Sequence, residues 1–157
     1  MTKHRMVKIL FICHGNICRS PMAEFVMNDL AAQTGLSDTI IAHSAATSRE
    51  EIGNDIHYGT RDQLRRHHIP FSPRHARQVT HSDYDNYDYL IVMDSNNERN
   101  LRRIISADPN HKIRKLLSFT GTSADIADPW YTDDFDTTFR EIMEGCKALL
   151  QFIIHNL

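Results

Sequence analysis

Apolar positions along this chain alternate between short continuous runs and helical stripes. Val7, Ile9, Leu10, Phe11 and Ile12 make a nearly unbroken run that ends at Cys13. A run without polar alternation predicts a strand covered on both faces. Ala23, Val26, Met27, Leu30 and Ala31 then recur at helical spacing. Pro21 suits the first turn of that helix, Ser20 its N-cap, and Gly35 its stop. Ile40–His43 predicts a second short strand running into Ser44-Ala45-Ala46-Thr47, and residues 48–54 a polar loop. A helix is expected from about Asp55 to His68, ended by Ile69-Pro70, with irregular chain onward to Val79. Tyr89, Leu90, Ile91, Val92 and Met93 predict a third strand, closed by turn or cap chemistry at Asp94-Ser95-Asn96. Leu101, Ile104 and Ile105 mark the helix that follows. Ile113–Phe119 predicts a weaker fourth strand, and residues 120–134 a long loop. The last stripe is the clearest: Phe139, Ile142, Met143, Cys146, Leu149, Leu150, Ile153 and Ile154 share one helical face.

Strands alternating with helices predict an α/β fold of three layers, a four-stranded parallel sheet with helices on both faces. Such sheets bind ligands beyond the carboxyl ends of their strands. Cys13, Ser44, Asp94 and the loop after Phe119 all fall at such ends, so the site is expected there. With 157 residues the chain is expected to form one domain, 1–157. That length buries roughly 70% of the unfolded surface, enough to fold without disulfides or a metal.

Charge and cysteine usage exclude several function classes. Lys+Arg 18 against Asp+Glu 20, with no basic stripe, argues against a nucleic-acid partner. No apolar run approaches the ~18 residues of a membrane span. The basic residues Met1 to Arg5 precede a short run without a small-residue cleavage site, so no leader is expected. The three cysteines, an odd number, do not make a secreted disulfide framework and point to a reducing, cytoplasmic compartment. The ten histidines are scattered, with neither HExxH nor CxxC, so no metal and no cofactor are expected. Cys146 belongs to the apolar stripe and is expected in the core.

The chemistry lies between the first strand and the first helix. There Cys13 is followed by His14, Gly15, Asn16, Ile17, Cys18, Arg19 and Ser20. A thiol near a cation or a helix N-terminus ionises more readily than a free one. Successive N–H groups in a tight turn can cradle an anion, and the start of the helix adds its positive end. Arg19 offers a planar fork to two oxygens of a tetrahedral oxyanion. Five residues can wrap one phosphate with Cys13 beneath it, placed for in-line attack on phosphorus. C-x5-R alone is a weak pattern; its position between a buried strand and Ser20-Pro21 strengthens it.

The run from Cys13 to Glu24, CHGNICRSPMAE, resembles the signature of the low-molecular-weight protein tyrosine phosphatases. Ser44-Ala45-Ala46-Thr47, Ala76-Arg77-Gln78, Val92-Met93-Asp94 and Asp128-Pro129-Trp130-Tyr131 also resemble family segments, in family order, so the likeness covers roughly residues 6–155. The resemblance implies hydrolysis of phosphotyrosine through a phosphocysteine on Cys13, with Arg19 binding phosphate and Asp128 as general acid and base. It implies a phosphate-binding loop of His14, Gly15, Asn16, Ile17, Cys18 and Ser20. Asn16 would hold the strained turn, Ser44 and Asp94 would support it, and Ser20 would hydrogen-bond the thiolate. Trp130 and Tyr131 would line the mouth against an aryl ring. The implied partners are tyrosine-phosphorylated proteins or peptides, and phosphate or other oxyanions in the loop, with no membrane and a monomer or weak dimer as the assembly. In this family the two loop cysteines can also form a reversible disulfide under peroxide. Physical reading of the residues alone does not choose Asp128 over Asp125, Asp133 or Asp134; it adds only that Pro129 stiffens the backbone beside Asp128.

Departures from the family pattern concentrate at the rim. His14 follows the nucleophile, where members mostly carry another residue type, and Glu50, beside Arg49 and Glu51, occupies a loop where many carry an aromatic. The family's histidine before Arg77 is displaced to His75, which puts its hydrogen bond to Asp94 in doubt. Arsenate reductases share this fold, but residues 70–95 contain no resolving cysteine. Protein-arginine phosphatases tend to carry Thr where this chain has Ile17, and an apolar Ile17 better suits an aryl phosphate. A non-catalytic phosphate-binding or redox-sensing module would have no use for Asp128.

Overall fold

The computed structural model describes residues 6–157. Met1 to Arg5, which the sequence reading separates from a leader, lie outside the described residues. Four parallel strands, β1 (Val7–Cys13), β2 (Ile40–Ala46), β3 (Tyr89–Val92) and β4 (Ile113–Lys115), stand in the order β2-β1-β3-β4. β1 is therefore central. It runs in register from Val7 opposite Ile40 to Cys13 opposite Ala46, and on its other edge from Ile9 opposite Tyr89 to Ile12 opposite Val92. Its two-residue alternation divides the core. Ile9, Phe11 and Cys13 pack with α1 (Arg19–Gln33) and α6 (Phe135–His155), and with Leu64 of α2 (Tyr58–Arg66). Leu10 and Ile12 pack on the other face with Tyr84 of α3 (Asp83–Asn86) and Leu101 of α4 (Ser95–Ile104). Both faces are thus covered, as a continuous apolar strand requires. No helix among the described residues is long and apolar enough to cross a membrane.

The differences from the sequence reading have local causes. β2 runs three residues further than expected, to Ala46, because its backbone keeps pairing with β1 up to Cys13 while the small Ala45 and Ala46 are buried. The second helix starts at Tyr58, where the His57 ring caps it by accepting the Gly59 N–H at 3.0 Å. The fourth strand stops at Lys115, and Leu116–Thr120 turns into a 3-10 helix. Leu116 there packs onto α6 at Gly145, where a Cβ would come within 2.5 Å of its Cγ. The long loop contains a one-turn helix, α5 (Pro129–Thr132). Finally, α1 starts at Arg19 with Cys18 in the cap position, so Ser20 is not the cap. Its hydroxyl is committed to the loop.

Candidate active site

The loop 14–18 joins the carboxyl end of β1 to α1, and its neighbours hold its carbonyls outward. The Cys13 carbonyl accepts from the Thr47 N–H at 2.9 Å, and that of His14 from the Ser48 N–H at 3.1 Å and hydroxyl at 2.9 Å. The Asn16 carbonyl accepts from the Arg74 guanidinium, Ile17 from the His57 N–H at 2.8 Å, and Cys18 from the Thr60 hydroxyl at 3.1 Å. In a trans peptide the following N–H points opposite to the C=O. Pinning these carbonyls outward aims the amides of His14, Gly15, Ile17, Cys18 and Arg19 toward the interior of the loop. Asn16 sits at φ 60, a left-handed conformation that Asn tolerates better than most residues.

Beneath the amides lies Cys13, with its sulfur held from two sides. The Asn16 N–H donates to Sγ at 3.3 Å, and the Ser20 hydroxyl lies 3.0 Å from it. The Asn16 side-chain amide donates to Ser20 Oγ at 2.8 Å, leaving the hydroxyl hydrogen for the sulfur. Asn16 is itself oriented by the Arg77 N–H, which donates to its Oδ1 at 3.3 Å, while the Arg77 guanidinium grips Asp83 at 2.9 and 3.1 Å.

Arg19 is 2% exposed and faces two carboxylates. Nη1 donates to Asp94 Oδ2 at 2.8 Å and to the Ile126 carbonyl at 2.9 Å; Nη2 donates to Asp128 Oδ2 at 3.3 Å. Burial alone would lower the Arg19 pKa, but the charges of Cys13, Asp128 and Asp94 outweigh it and raise the value. Asp94 also caps α4, its Oδ1 accepting the Asn97 N–H at 2.7 Å. Asp128 likewise caps α5, accepting the Trp130 N–H at 3.0 Å, with Pro129 next to it. The segment carrying Asp128 is tied to the scaffold. The Ile126 N–H bonds Met93 O at 2.9 Å, the Thr138 hydroxyl bonds Ala127 O at 2.9 Å, and Glu141 accepts the Ala127 N–H at 2.9 Å.

These groups line a cleft of about 520 Å³. Its rim carries His14 and Glu50, paired at 3.0 Å, together with Glu51, Trp130 and Tyr131. Trp130 and Tyr131 are 62% and 84% exposed, free to meet a ligand. The geometry thus brings Cys13, Arg19, Asp94 and Asp128 together from four parts of the chain. Of the alternative aspartates, Asp125 is held by Lys115 at 2.8 Å and Asp134 caps α6 through the Thr137 N–H at 3.0 Å. One expectation does not hold as stated: the Ser44 hydroxyl donates to Glu24 rather than to the loop. The displaced His75, whose bond to Asp94 the sequence put in doubt, bonds the Gly53 carbonyl at 2.8 Å instead. The loop is braced instead by Arg74 and Arg77. In the sequence Arg77 belongs to a segment that resembles the family, whereas Arg74 is marked only as a basic residue of an irregular stretch.

Comparison with known proteins accords with this geometry. A family model described as low molecular weight phosphotyrosine protein phosphatase matches residues 8–157. The chain belongs to this family. The low molecular weight protein-tyrosine-phosphatase YfkJ of Bacillus subtilis is 44% identical to it over 150 residues, 94% of this chain and 96% of that protein. The crystal structure of YfkJ superposes with a TM-score of 0.94, at 42% identity over 99% of both chains. PtpA of Staphylococcus epidermidis, also named a low molecular weight protein-tyrosine-phosphatase, is 37% identical over 152 residues, covering 95% of each chain. An arginine phosphatase from Drosophila shares the fold with a TM-score of 0.84, at 27% identity over 94% of this chain and 98% of that one. In this low molecular weight phosphatase, Cys13, Cys18 and Cys146 are free thiols. Burial first, and then the charge of Cys13, push Cys18 up to about 12, so at neutral pH it is a thiol. Burial also raises the pKa of Cys146, which is a core residue of α6.

Proposed function

We propose that this chain, as one phosphatase domain spanning 1–157, hydrolyses phosphotyrosine in proteins or peptides through a phosphocysteine intermediate on Cys13. The observation that carries the reading is a buried Arg19 at the floor of the cleft, beside a thiol that accepts two hydrogen bonds and next to Asp128. In the first step the Cys13 thiolate attacks phosphorus. The P–O bond to the tyrosyl oxygen breaks, and Asp128 gives that oxygen its proton. Charge on the three equatorial oxygens is met by Arg19 and by the inward-facing amides. In the second step Asp128 takes a proton from water, the water oxygen bonds phosphorus, and the P–S bond breaks. Ser20 and the Asn16 N–H stabilise the departing thiolate, leaving inorganic phosphate. Arg19 and the amides supply positive charge on their own, so turnover is expected to persist in a chelator.

Ile17 lines the cleft as an apolar wall suited to an aryl ring, which supports phosphotyrosine over phosphoarginine. A nucleophile that must stay reduced fits a cytoplasmic setting. The test is hydrolysis of para-nitrophenyl phosphate with a chelator present, beside phosphotyrosine, phosphoarginine and arsenate assays. The expected result is aryl phosphate turnover that is abolished in Cys13→Ser. Undiminished turnover in that variant overturns the reading.

A further inference from the structure

The nucleophile's loop has a neighbour that the chemistry above does not use. Arg74 lies in the irregular segment after α2, behind the loop and away from the cleft lining. Its Nη2 donates to the Asn16 carbonyl and its Nη1 to the Asn54 carbonyl at 3.3 Å. Its own N–H donates to Asp55 at 3.3 Å, which fixes the start of the side chain. The guanidinium therefore grips the phosphate loop and the chain leading into α2 at the same time. Two consequences follow from where it holds. The Asn16 carbonyl belongs to the Asn16–Ile17 peptide, so drawing that oxygen outward points the Ile17 N–H into the cradle. A charged donor on the carbonyl also polarises that peptide, making its N–H a stronger donor to an anion.

The second consequence is electrostatic. Burial lowers the Arg74 pKa, while Glu24, Cys13 and Asp55 oppose the shift, so the guanidinium and the sulfur feel one another. An arginine starts so high that it keeps its charge. The groups coupled to Cys13 by charge are Cys18 in the loop, Arg19 from α1 and Arg74 from behind; Asp94 and Asp128 act in turn on Arg19, Asp128 and Glu51 on Cys18, and Glu24 on Arg74. In that set Arg19 is shared between two carboxylates, so a second fixed cation changes the balance at the sulfur.

We propose that Arg74 is a positioning residue for the phosphatase reaction: from behind the loop it aims the Ile17 amide at the phosphoryl group and adds a permanent positive charge that favours the Cys13 thiolate. The inference rests on the proposed role of Cys13, but its test does not need turnover. The rate of Cys13 alkylation by iodoacetate is followed against pH, with the modified peptide identified by mass. Protection by inorganic phosphate is measured in the same experiment. Three variants separate charge from hydrogen bonding. Arg74→Met removes both, Arg74→Gln keeps amide donors without charge, and Arg74→Lys keeps charge. Arg74→Met and Arg74→Gln are expected to move the alkylation midpoint up by about one pH unit, with Arg74→Lys close to the parent. Phosphate protection is expected to weaken about tenfold in Arg74→Met and less in Arg74→Gln. Thermal melting of each variant identifies those that fold, and Arg74→Gln against Arg74→Lys decides the matter if Arg74→Met does not. A folded Arg74→Gln with the parent's alkylation midpoint overturns the electrostatic role. A folded Arg74→Met with the parent's phosphate protection overturns the positioning role. If aryl phosphate hydrolysis is absent from the parent while the alkylation midpoints shift as expected, the proposed function fails and Arg74 keeps its role.

Discussion

Ser20→Ala tests the loop most directly, because Ser20 is fully buried and its one hydroxyl serves two partners. The substitution removes the hydrogen bond to the Cys13 sulfur at 3.0 Å. A hydrogen bond to a charged group contributes about 1.5–3 kcal/mol. The step in which the thiolate departs loses that stabilisation, which slows it about 10- to 150-fold. The first step still releases phenolate, so hydrolysis of the phosphocysteine becomes limiting. Para-nitrophenyl phosphate mixed rapidly with the variant should then show a burst of one nitrophenolate per active site, followed by slow turnover. The same change leaves the side-chain N–H of Asn16 without its acceptor at a site with no exposure to water. That orphaned donor costs about 1–3 kcal/mol of stability. For a chain of this length the melting temperature falls by about 2–4 °C for each kcal/mol. A folded variant with kcat within twofold of the parent and no burst would refute the role assigned to Ser20.

The other predictions concern the acid, a buried carboxyl and the packing. Asp128→Asn keeps a residue able to cap α5 but removes the proton; kcat should fall about 10²- to 10⁴-fold for phenyl phosphate, and less for para-nitrophenyl phosphate, whose leaving group needs a proton less. An unchanged Asp128→Asn beside an impaired Asp125→Asn would transfer the acid's role. Burial raises the Glu24 pKa, against the hydrogen bond from Ser44 and the charges of Arg74 and Arg77. A raised folded pKa means that the protonated carboxyl favours folding; this contribution is complete below the unfolded value of about 4.3 and is lost as pH rises through the folded one. Glu24→Gln imitates the protonated form, so melting experiments should show it more stable than the parent at pH 7 and no more stable at pH 4. Gly145→Val drives a side chain into Leu116, whose Cγ lies 2.5 Å from where the Cβ must sit; chemical denaturation should show a loss of about 1–3 kcal/mol.

Much of this architecture was legible because its signals are local. The apolar run from Val7 to Cys13 predicts a doubly covered strand, and Ile9, Leu10, Phe11 and Ile12 are all fully buried. The stripe from Phe139 to Ile154 predicts one long helix, and α6 is that helix. Signals failed where tertiary partners decide. Ser20-Pro21 reads as a cap and first turn, yet the sulfur and Asn16 take the hydroxyl and the helix opens two residues earlier. Asp128 is indistinguishable from its neighbours until α6 and Met93, the residue after β3, anchor the segment that brings it to Arg19. Arg74 and Arg77 sit in a stretch without periodicity, so nothing local shows that both reach Asn16.

The position of β1 between β2 and β3 divides the cleft into two mechanical halves. Amides of a central strand, paired on both edges and cut off from water, exchange with solvent only when the whole domain opens. Cys13 therefore inherits the persistence of the entire sheet. Asp128 is tied to Arg19 and its segment to Met93 and α6, but the one-turn helix it caps carries the exposed Trp130 and Tyr131, so that rim is expected to open more readily than the sheet. Hydrogen exchange should accordingly be slowest along Ile9–Ile12 and much faster across Trp130–Thr132. Cys13 thus stands in the slowest-opening part of the molecule, and Trp130 and Tyr131, across the cleft, in a part expected to open sooner.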